Sequence, residues 1–206
     1  MILIAKYKFS SFYDLTDVLY FNREQNSPRT ALLSLIPDRP VHVLDLCAGT
    51  GSNSLVIAKN KAEAKITALD LSVNMLTIAD KKIKKGNIKN IELLVADACN
   101  TGFENNTFDV ILLSLVLHEI AEDLRQAIIN EAKRILRYDG KIIVIEWKQP
   151  VKLFQRLMFF TIKSMEPTCF KAFLYTDQVD YFHTFGLKTL EIQNCDYTQV
   201  FALSKR

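Results

Sequence analysis

The alternation of strand-length apolar runs with helical segments from residue 41 onward constrains this fold more than any other feature. A strand, a helix and a second strand in succession form a parallel pair with a right-handed crossover. Repetition of that unit builds an open, mostly parallel sheet with helices on both faces, which places the chain in the α/β class. Strands are predicted at 41–46, 65–70, 91–95, 109–114 and 141–146, and helices at 52–60, 73–85 and 121–137.

The predicted helices have recognisable ends. Ser72 is a suitable N-cap for the helix at 73–85, because its hydroxyl can accept a hydrogen bond from an unpaired N–H group of the first turn. Gly86 and Gly140 each follow basic residues, an order typical of a last helical turn and its C-terminal glycine. We therefore expect Gly86 to end the helix at 73–85 and Gly140 to end the helix at 121–137.

Both ends of the chain depart from this alternation. Residues 10–36 predict two helices, of which the second begins with Ser27 as N-cap and Pro28 at its first position. Near the C-terminus a helix precedes two strands, and the short connection between those strands forces an antiparallel hairpin. These last elements are predicted at 176–185, with Gly186 ending the helix, and at 187–193 and 197–203.

Charge and cysteine content exclude several classes of protein. The 206 residues carry a net charge of +3, and the basic cluster Lys81, Lys82, Lys84 and Lys85 is expected to be the solvated end of a helix rather than a nucleic-acid surface. The four cysteines form no CxxC pair, so neither a structural zinc site nor a disulfide framework is expected. Metal-ligand spacing, a signal peptide and a spanning helix are not recognised either, which predicts a metal-free protein of the cytoplasm.

A loop of small residues, Asp45-Leu46-Cys47-Ala48-Gly49-Thr50-Gly51-Ser52-Asn53, connects the first strand of the alternation to the first helix. Glycine accepts backbone angles that other residues reach only at a cost, and it lets a ligand approach the main chain. The helix start that follows offers unpaired N–H groups and a positive partial charge. The loop alone fits either a dinucleotide or another adenosine-containing cofactor, since only Ser54 at the third glycine separates it from GxGxxG.

Three aspartates follow three successive strands at the edge where ligands collect in open α/β sheets. Asp45 ends the first strand, Asp70 ends the second, and Asp97 follows the third. An acid after the second strand can accept both hydroxyls of a ribose, which suits NAD and S-adenosylmethionine equally. No second domain is left to hold a hydride acceptor, and this disfavours the NAD interpretation.

With these motifs in this order, the sequence resembles the class I S-adenosylmethionine-dependent methyltransferases of the type 11 group over roughly residues 41–146. Cys47 stands where many members carry the first glycine of the loop, and the segment 108–114 resembles the fourth-strand motif, whose end lies beside the transferable methyl. The resemblance implies a Rossmann-like fold, S-adenosyl-L-methionine as cofactor and S-adenosyl-L-homocysteine as product. The implied cofactor-binding residues are Asp45, Cys47, Ala48, Gly49, Thr50, Gly51, Asp70, Leu71, Ser72, Met75, Asp97, Ala98 and Ser114.

Within that set the resemblance implies distinct roles. Asp70 holds the ribose, Asp97 the adenine amino group, and Leu71 and Met75 sandwich the adenine ring, while Asp45 supports the loop. A single domain over 1–206 is expected to contain four parts: a helical cap at 1–40, the cofactor-binding core at 41–146, a lid or insertion at 147–175, and a C-terminal helix and hairpin at 176–206.

Two segments outside the cofactor motifs bear on the methyl acceptor. The segment from Tyr13 to Arg23 is similar to the opening of the ubiquinone and menaquinone C-methyltransferases, but residues 115–120 depart from their Phe-Gly-x-Arg-Asn type segment. His118 is interpreted either as a catalytic base or substrate ligand, or as a residue that orders its loop or caps the next helix. Tyr13, Arg23 and Glu119 are expected to contact a small-molecule acceptor.

Aromatic residues in both end segments favour an apolar or aromatic acceptor. The segment 151–163 combines a narrow basic stripe with an apolar helix, and two interpretations stay open. It is either a lid packed on the core or on a second copy in a homodimer, or a helix that contacts a membrane surface or a lipid-like substrate. Nucleic acid is not expected as substrate, because the charge is modest. A cofactor-binding protein or partner subunit without its own transferase activity is the alternative function.

Overall fold

The computed structural model describes residues 26–150, 156, 159 and 168–205. The helices are α1 Pro28–Leu35, α2 Ser52–Asn60, α3 Val73–Lys85, α4 Glu122–Ile135, α5 Thr168–Tyr175 and α6 Gln178–Thr184. The strands are β1 Val41–Leu46, β2 Ala64–Asp70, β3 Ile91–Val95, β4 Phe108–Ser114, β5 Leu136–Trp147, β6 Leu187–Asn194 and β7 Thr198–Lys205. A 3₁₀ turn, Leu117–Glu119, lies between β4 and α4.

The strands form one seven-stranded sheet in the order β3-β2-β1-β4-β5-β7-β6. Neighbours from β3 to β5 pair in parallel, whereas β7 pairs antiparallel with both β5 and β6. The chain moves outward from β1 in one direction and from β4 in the other, so a crevice opens at the carboxyl ends of these two strands. The predicted open, mostly parallel sheet with an antiparallel C-terminal hairpin is confirmed.

The sheet separates two apolar cores, and β5 contributes to both. Ile143 and Ile145 belong to the core that contains the buried residues of α1 and α2. Ile142 and Val144 belong to the opposite core, with buried residues of α4 and α6. Because side chains alternate along a strand, Glu146 at the end of β5 is directed to the same side as Ile142 and Val144.

Local capping signals produce the helix ends that the sequence predicts. Ser27 Oγ accepts from Arg29 N at 3.2 Å, and Ser72 Oγ accepts from Met75 N at 3.3 Å. Gly186 adopts a left-handed φ of 68° just beyond α6. The bounds of β1, β3, α2 and α3 agree with the predicted ranges to the residue.

The expected role of Gly140 is wrong. Helix α4 already ends at Ile135, and the chain enters β5 directly, so Gly140 lies inside a strand. A Cβ at this position would lie 2.8 Å from the carbonyl oxygen of Asp109 in β4, where the pairing of β4 and β5 is irregular. The glycine is therefore required by the close approach of two strands rather than by a helix end.

Parts of the predicted organisation lie outside the described residues, namely the first helix of 10–36 and most of the segment 151–163. The division into a cap, a core, a lid and a C-terminal unit stays a prediction. Among the described helices, none combines the length and apolar character needed to cross a bilayer.

Candidate active site

The loop after β1 has the backbone of a glycine-rich turn, although its first member is a cysteine. Cys47, Gly49 and Gly51 have φ values of 66°, 55° and 71°, all in the left-handed region. A Cβ on Gly51 would lie 3.0 Å from Ala79 Cβ, so this glycine lets α3 pack against the loop, whereas a Cβ on Gly49 would meet open space. The space at Gly49 is available to a ligand, and the strain falls on Cys47.

Asp45 supports the loop from beneath. Its Oδ2 accepts from Ser54 Oγ in α2 at 2.6 Å, and the residue is almost fully buried. Burial is the main cause that raises the pKa of this carboxyl to about 6. Asp45 thus connects β1 to α2 below the turn.

Asp70 connects the loop to the start of α3. Its Oδ2 accepts from Gly49 N and its Oδ1 accepts from Ser72 N, each at 2.8 Å. Burial raises the pKa of the carboxyl, and these two N–H donors oppose that rise. The carboxylate therefore holds two backbone segments at the carboxyl edge and lies between β1 and α3.

The segment after β3 carries the third aspartate. Asp97 is exposed, and its Oδ1 accepts from Cys99 N at 2.8 Å, while the neighbouring Ala98 is buried. Farther along, Glu131 of α4 accepts from Thr101 N at 2.9 Å and from Thr101 Oγ1 at 2.6 Å. Hydrogen bonds from Arg134 are the main cause that lowers the pKa of Glu131 to about 2, so this anchor stays charged.

The two residues expected to sandwich an adenine ring differ in exposure. Leu71 is 67% exposed, whereas Met75 is only 5% exposed. Val73 and Val95 are also exposed beside the same edge, at 61% and 52%. The edge therefore presents an apolar surface in which Leu71, rather than Met75, offers area to a ring.

Lys82 is not the solvated residue that the sequence predicts. Its Nζ donates to Thr50 Oγ1 at 2.9 Å and to Ser52 Oγ at 3.4 Å, across the glycine-rich turn. Its neighbours Lys84 and Lys85 are exposed, as expected. A side chain from the last turn of α3 thus holds the loop, a contact that the lysine cluster alone did not indicate.

Beyond β4, His118 forms a buried pair with Glu146. The ring Nδ1 lies 2.7 Å from Glu146 Oε2, and Oε1 of the same carboxylate accepts from Leu117 N at 2.9 Å. His118 Nε2 lies 3.8 Å from Glu119 Oε1. Both members of the pair are almost fully buried, so the interaction operates with little water around it.

Aromatic rings surround this imidazole. The ring centroid of Phe170 lies 5.2 Å from that of His118, and the centroid of Trp147 lies at 6.5 Å, both in edge-on arrangements. Phe159 packs against Trp147, with 5.7 Å between the centroids. A polar pair able to move a proton is therefore enclosed by apolar rings.

Arg125 of α4 holds the segment 115–121 from the other side. Its Nε donates to Leu117 O at 2.7 Å and its Nη2 to Ile120 O at 3.0 Å. The guanidinium lies over the ring of Phe173, 4.3 Å from the centroid. Buried Arg125 and Glu146 thus fix the turn that carries His118, whereas His118 does not cap α4, whose N-cap is Ala121.

Sequence reasoning located most of this edge but missed three residues, namely Lys82, Arg125 and Glu146. Ser114 ends β4 as predicted, and Glu119 lies on the same turn as His118. Tyr13 and Arg23 lie outside the described residues.

In the described parts of the chain, no group of three or more His, Cys, Asp or Glu residues is arranged to hold a metal ion. Metal-free catalysis stays a prediction.

Residues 43–140 match a family model described as a methyltransferase domain. The demethylmenaquinone methyltransferase of Alkalihalophilus pseudofirmus is 26% identical over 164 residues, which cover 78% of this chain and 69% of that protein. The Bacillus subtilis protein of the same name is 30% identical over 132 residues, which cover 63% of this chain and 56% of that protein.

Two solved structures share the fold. A SAM-dependent methyltransferase from Aquifex aeolicus superimposes with a TM-score of 0.72 at 20% identity, over 97% of each chain. The 1,6-didemethyltoxoflavin-N1-methyltransferase of Burkholderia thailandensis, solved with bound 1,6-didemethyltoxoflavin and S-adenosylhomocysteine, gives a TM-score of 0.69 at 15% identity, over 99% of this chain and 85% of that one. This likeness shows the fold, and together with the domain match and the homologous sequences it supports a class I S-adenosylmethionine-dependent methyltransferase.

Proposed function

We propose that this methyltransferase acts on a small apolar or aromatic acceptor that carries an acidic hydroxyl, with a reduced quinone as the first candidate. The observation that carries the proposal is the buried His118–Glu146 pair beyond β4, enclosed by the rings of Phe170 and Trp147. The relatives named as demethylmenaquinone methyltransferases support the choice of a quinone.

The proposed cofactor site fits S-adenosylmethionine. Each carboxylate oxygen of Asp70 accepts one backbone N–H and keeps capacity for a ribose hydroxyl. Leu71 has the exposed apolar surface that suits an adenine ring, exposed Asp97 suits the adenine amino group, and Gly49 leaves its main chain open. The other proposed contacts are Cys47, Ala48, Thr50, Gly51, Ser72, Met75, Ala98 and Ser114, with Asp45 in support.

When bound, S-adenosylmethionine supplies a methyl group activated by the positive charge on sulfur. The residues of this chain then have to align the acceptor with that methyl and exclude water, and such positioning can supply about 7–11 kcal/mol of the barrier. For an acceptor with a phenolic hydroxyl, His118 takes the hydroxyl proton, which leaves an electron-rich oxygen or ring carbon as nucleophile. Where the ring carbon is methylated, the proton that this carbon carried is lost afterwards, which restores the aromatic ring. The scheme requires no metal ion.

The remaining expectations about partners and location depend largely on segments outside the described residues. Contact of 151–163 with a membrane surface or lipid-like substrate, contact of Tyr13 and Arg23 with the acceptor, a homodimer and a cytoplasmic location all stay predictions. Nucleic acid is not part of the proposal. The alternative, a cofactor-binding protein without transferase activity, is not favoured by relatives that are named as methyltransferases.

The test is turnover of purified protein with S-adenosylmethionine and a reduced short-chain demethylmenaquinone, followed as S-adenosylhomocysteine and as a methylated product in mass spectrometry. We expect turnover by the wild type and a loss of roughly 10²-fold or more in kcat for His118→Gln, the usual contribution of a general base. His183→Gln, on α6 far along the chain, is the matched control. Equal turnover by both variants would refute the role of His118, and no methylation of any phenolic acceptor would refute the substrate class.

A further inference from the structure

Both carboxylate oxygens of Glu146 contact the same 3₁₀ turn, Leu117–Glu119. Oε2 meets His118 Nδ1 at 2.7 Å, and Oε1 accepts from the backbone N–H of Leu117 at 2.9 Å. The residue has no exposed surface, although a buried carboxylate is costly unless it is paired. Packing alone does not explain a buried carboxylate at the end of β5 that contacts a histidine 28 residues away in the sequence.

We propose that Glu146 is the positioning residue of the methyl-transfer site. It holds the proton of neutral His118 on Nδ1, so that Nε2 is the basic ring nitrogen, and it fixes the ring by holding the adjacent main chain. This inference rests on the proposed function, in which His118 accepts the proton of the acceptor. Glu146 itself touches neither the acceptor nor the cofactor in this scheme, and it acts through His118.

The charges around the imidazole favour this arrangement. Among the described residues, three charged groups from three elements face the turn: Glu146 from β5, Glu119 of the turn itself, and Arg125 from α4. Glu146 is in direct contact with the ring, whereas Arg125 donates to the main-chain carbonyl oxygens of Leu117 and Ile120. A carboxylate in contact with an imidazole favours its protonated form and stabilises it when the acceptor proton arrives.

The sole tryptophan of the chain offers a readout that does not depend on turnover. Trp147 lies 6.5 Å from His118, ring centroid to ring centroid, and a protonated imidazole quenches indole fluorescence at short range. We expect Trp147 emission to fall as the pH is lowered through the titration of His118. His118→Gln should remove that transition, and its persistence in this variant would overturn the proposal.

Glu146→Gln then tests the coupling between the Glu146 carboxylate and the protonation of His118. The substitution keeps the size of the side chain but removes its charge, so we expect the fluorescence transition and the acidic limb of kcat/KM to move about one pH unit lower. We also expect kcat to fall by roughly 10-fold or more, with an unchanged affinity for S-adenosylmethionine. Glu191→Gln, an exposed acid of β6, is the matched control. An unmoved transition in Glu146→Gln would overturn the proposal.

A measurement on the wild type covers the case in which Glu146→Gln does not fold. In protein labelled with ¹⁵N-histidine, with His118 assigned by its loss in His118→Gln, we expect the Nδ1–H form at neutral pH, and the opposite tautomer would overturn the proposal. A shifted transition without turnover of any phenolic acceptor would support the coupling and count against the proposed function. Turnover with an unmoved transition would support the function and refute the coupling.

Discussion

The two halves of the carboxyl edge are held together in different ways. In the cofactor half, after β1, β2 and β3, two of the aspartates bond main chain two residues away, as Asp70 does with Ser72 and Asp97 with Cys99. In the acceptor half, after β4, Glu146 bonds Leu117 across 29 positions of sequence. The first half combines these short-range bonds with longer ones, from Gly49 to Asp70 and from Lys82 to Thr50, whereas the turn of the second half is held by residues of other elements. Substitutions should therefore affect the two halves independently.

The largest separable effect is expected from Arg125→Ala in the acceptor half. The substitution leaves the buried carbonyl oxygens of Leu117 and Ile120 without their donor and removes a cation from the face of Phe173. We expect the free energy of unfolding to fall by about 3 kcal/mol, because each unsatisfied buried group costs roughly 1–3 kcal/mol. Urea unfolding measures this loss.

The same variant tests whether the halves are independent. Its affinity for S-adenosylmethionine, measured by calorimetric titration, should stay within about 2-fold of the wild type, since the backbone hydrogen bonds and the ring contact of Arg125 belong to the acceptor half. Arg39→Ala, an exposed arginine, is the control, with an expected change below about 0.5 kcal/mol. A large loss of cofactor affinity in Arg125→Ala would show that the two halves are coupled.

The same contrast explains how much of the fold could be predicted. The bounds of α3 follow from apolar spacing and the Ser72 cap, which are properties of a short segment. Gly140 was misinterpreted because its requirement comes from Asp109 O in a neighbouring strand, which the residues around it do not reveal. Signals within a short segment thus predicted most helices and strands. The prediction was wrong where contacts between distant parts of the sequence determine the structure, as at Gly140.

The candidate site follows the same rule. Asp45, Asp70 and Asp97 were predictable because each follows a strand that ends at one edge of the sheet. Glu146 was not found, because its partner becomes visible only when β4 and β5 are placed side by side. A signal did exist: Glu146 is a single acid at the end of an otherwise apolar run, Ile142 to Ile145, and a buried strand carries such a residue only if it has a partner.

Asp45 offers a smaller test, on the cofactor half. Burial raises the pKa of its carboxyl from 3.8 to about 6. At pH values between these two, Asp45 is mostly protonated in the folded protein and mostly ionised in the unfolded chain. Stability therefore decreases as the pH rises from 4 to 7, by about 2.5 kcal/mol from this group. Asp45→Asn should lack that decrease, as measured by urea unfolding at both pH values.

The control for Asp45→Asn is Asp38→Asn, because the Asp38 side chain is 87% exposed. This variant should keep the pH dependence of the wild type. If Asp45→Asn also kept it, the carboxylate would be better compensated by Ser54 than its burial implies, and the cofactor half would tolerate a buried charge as well as the acceptor half does.

The smallest effect concerns the backbone of the cofactor half. Cys47 adopts a φ of 66°, which costs a residue with a Cβ about 1–2 kcal/mol relative to the right-handed region. Glycine escapes that strain but loses roughly 0.5–1 kcal/mol of chain entropy on folding. Since a direct comparison with cysteine also includes the contacts of the thiol, the informative pair is Cys47→Gly against Cys47→Ala.

At Cys47 we expect the glycine variant to be more stable than the alanine variant by about 0.5–1 kcal/mol, because alanine keeps the strained Cβ. Cys99, in the loop after β3, does not have a positive φ, so there the order should reverse, with alanine the more stable. Thermal unfolding of the four variants measures both differences. The same order at both sites would mean that the Cys47 turn relaxes when its side chain is shortened. The sequence of the glycine-rich turn would then fix where the loop lies but not its backbone angles. The backbone of the cofactor half would depend less on short-range sequence than the bonds of Asp70 and Asp97 suggest.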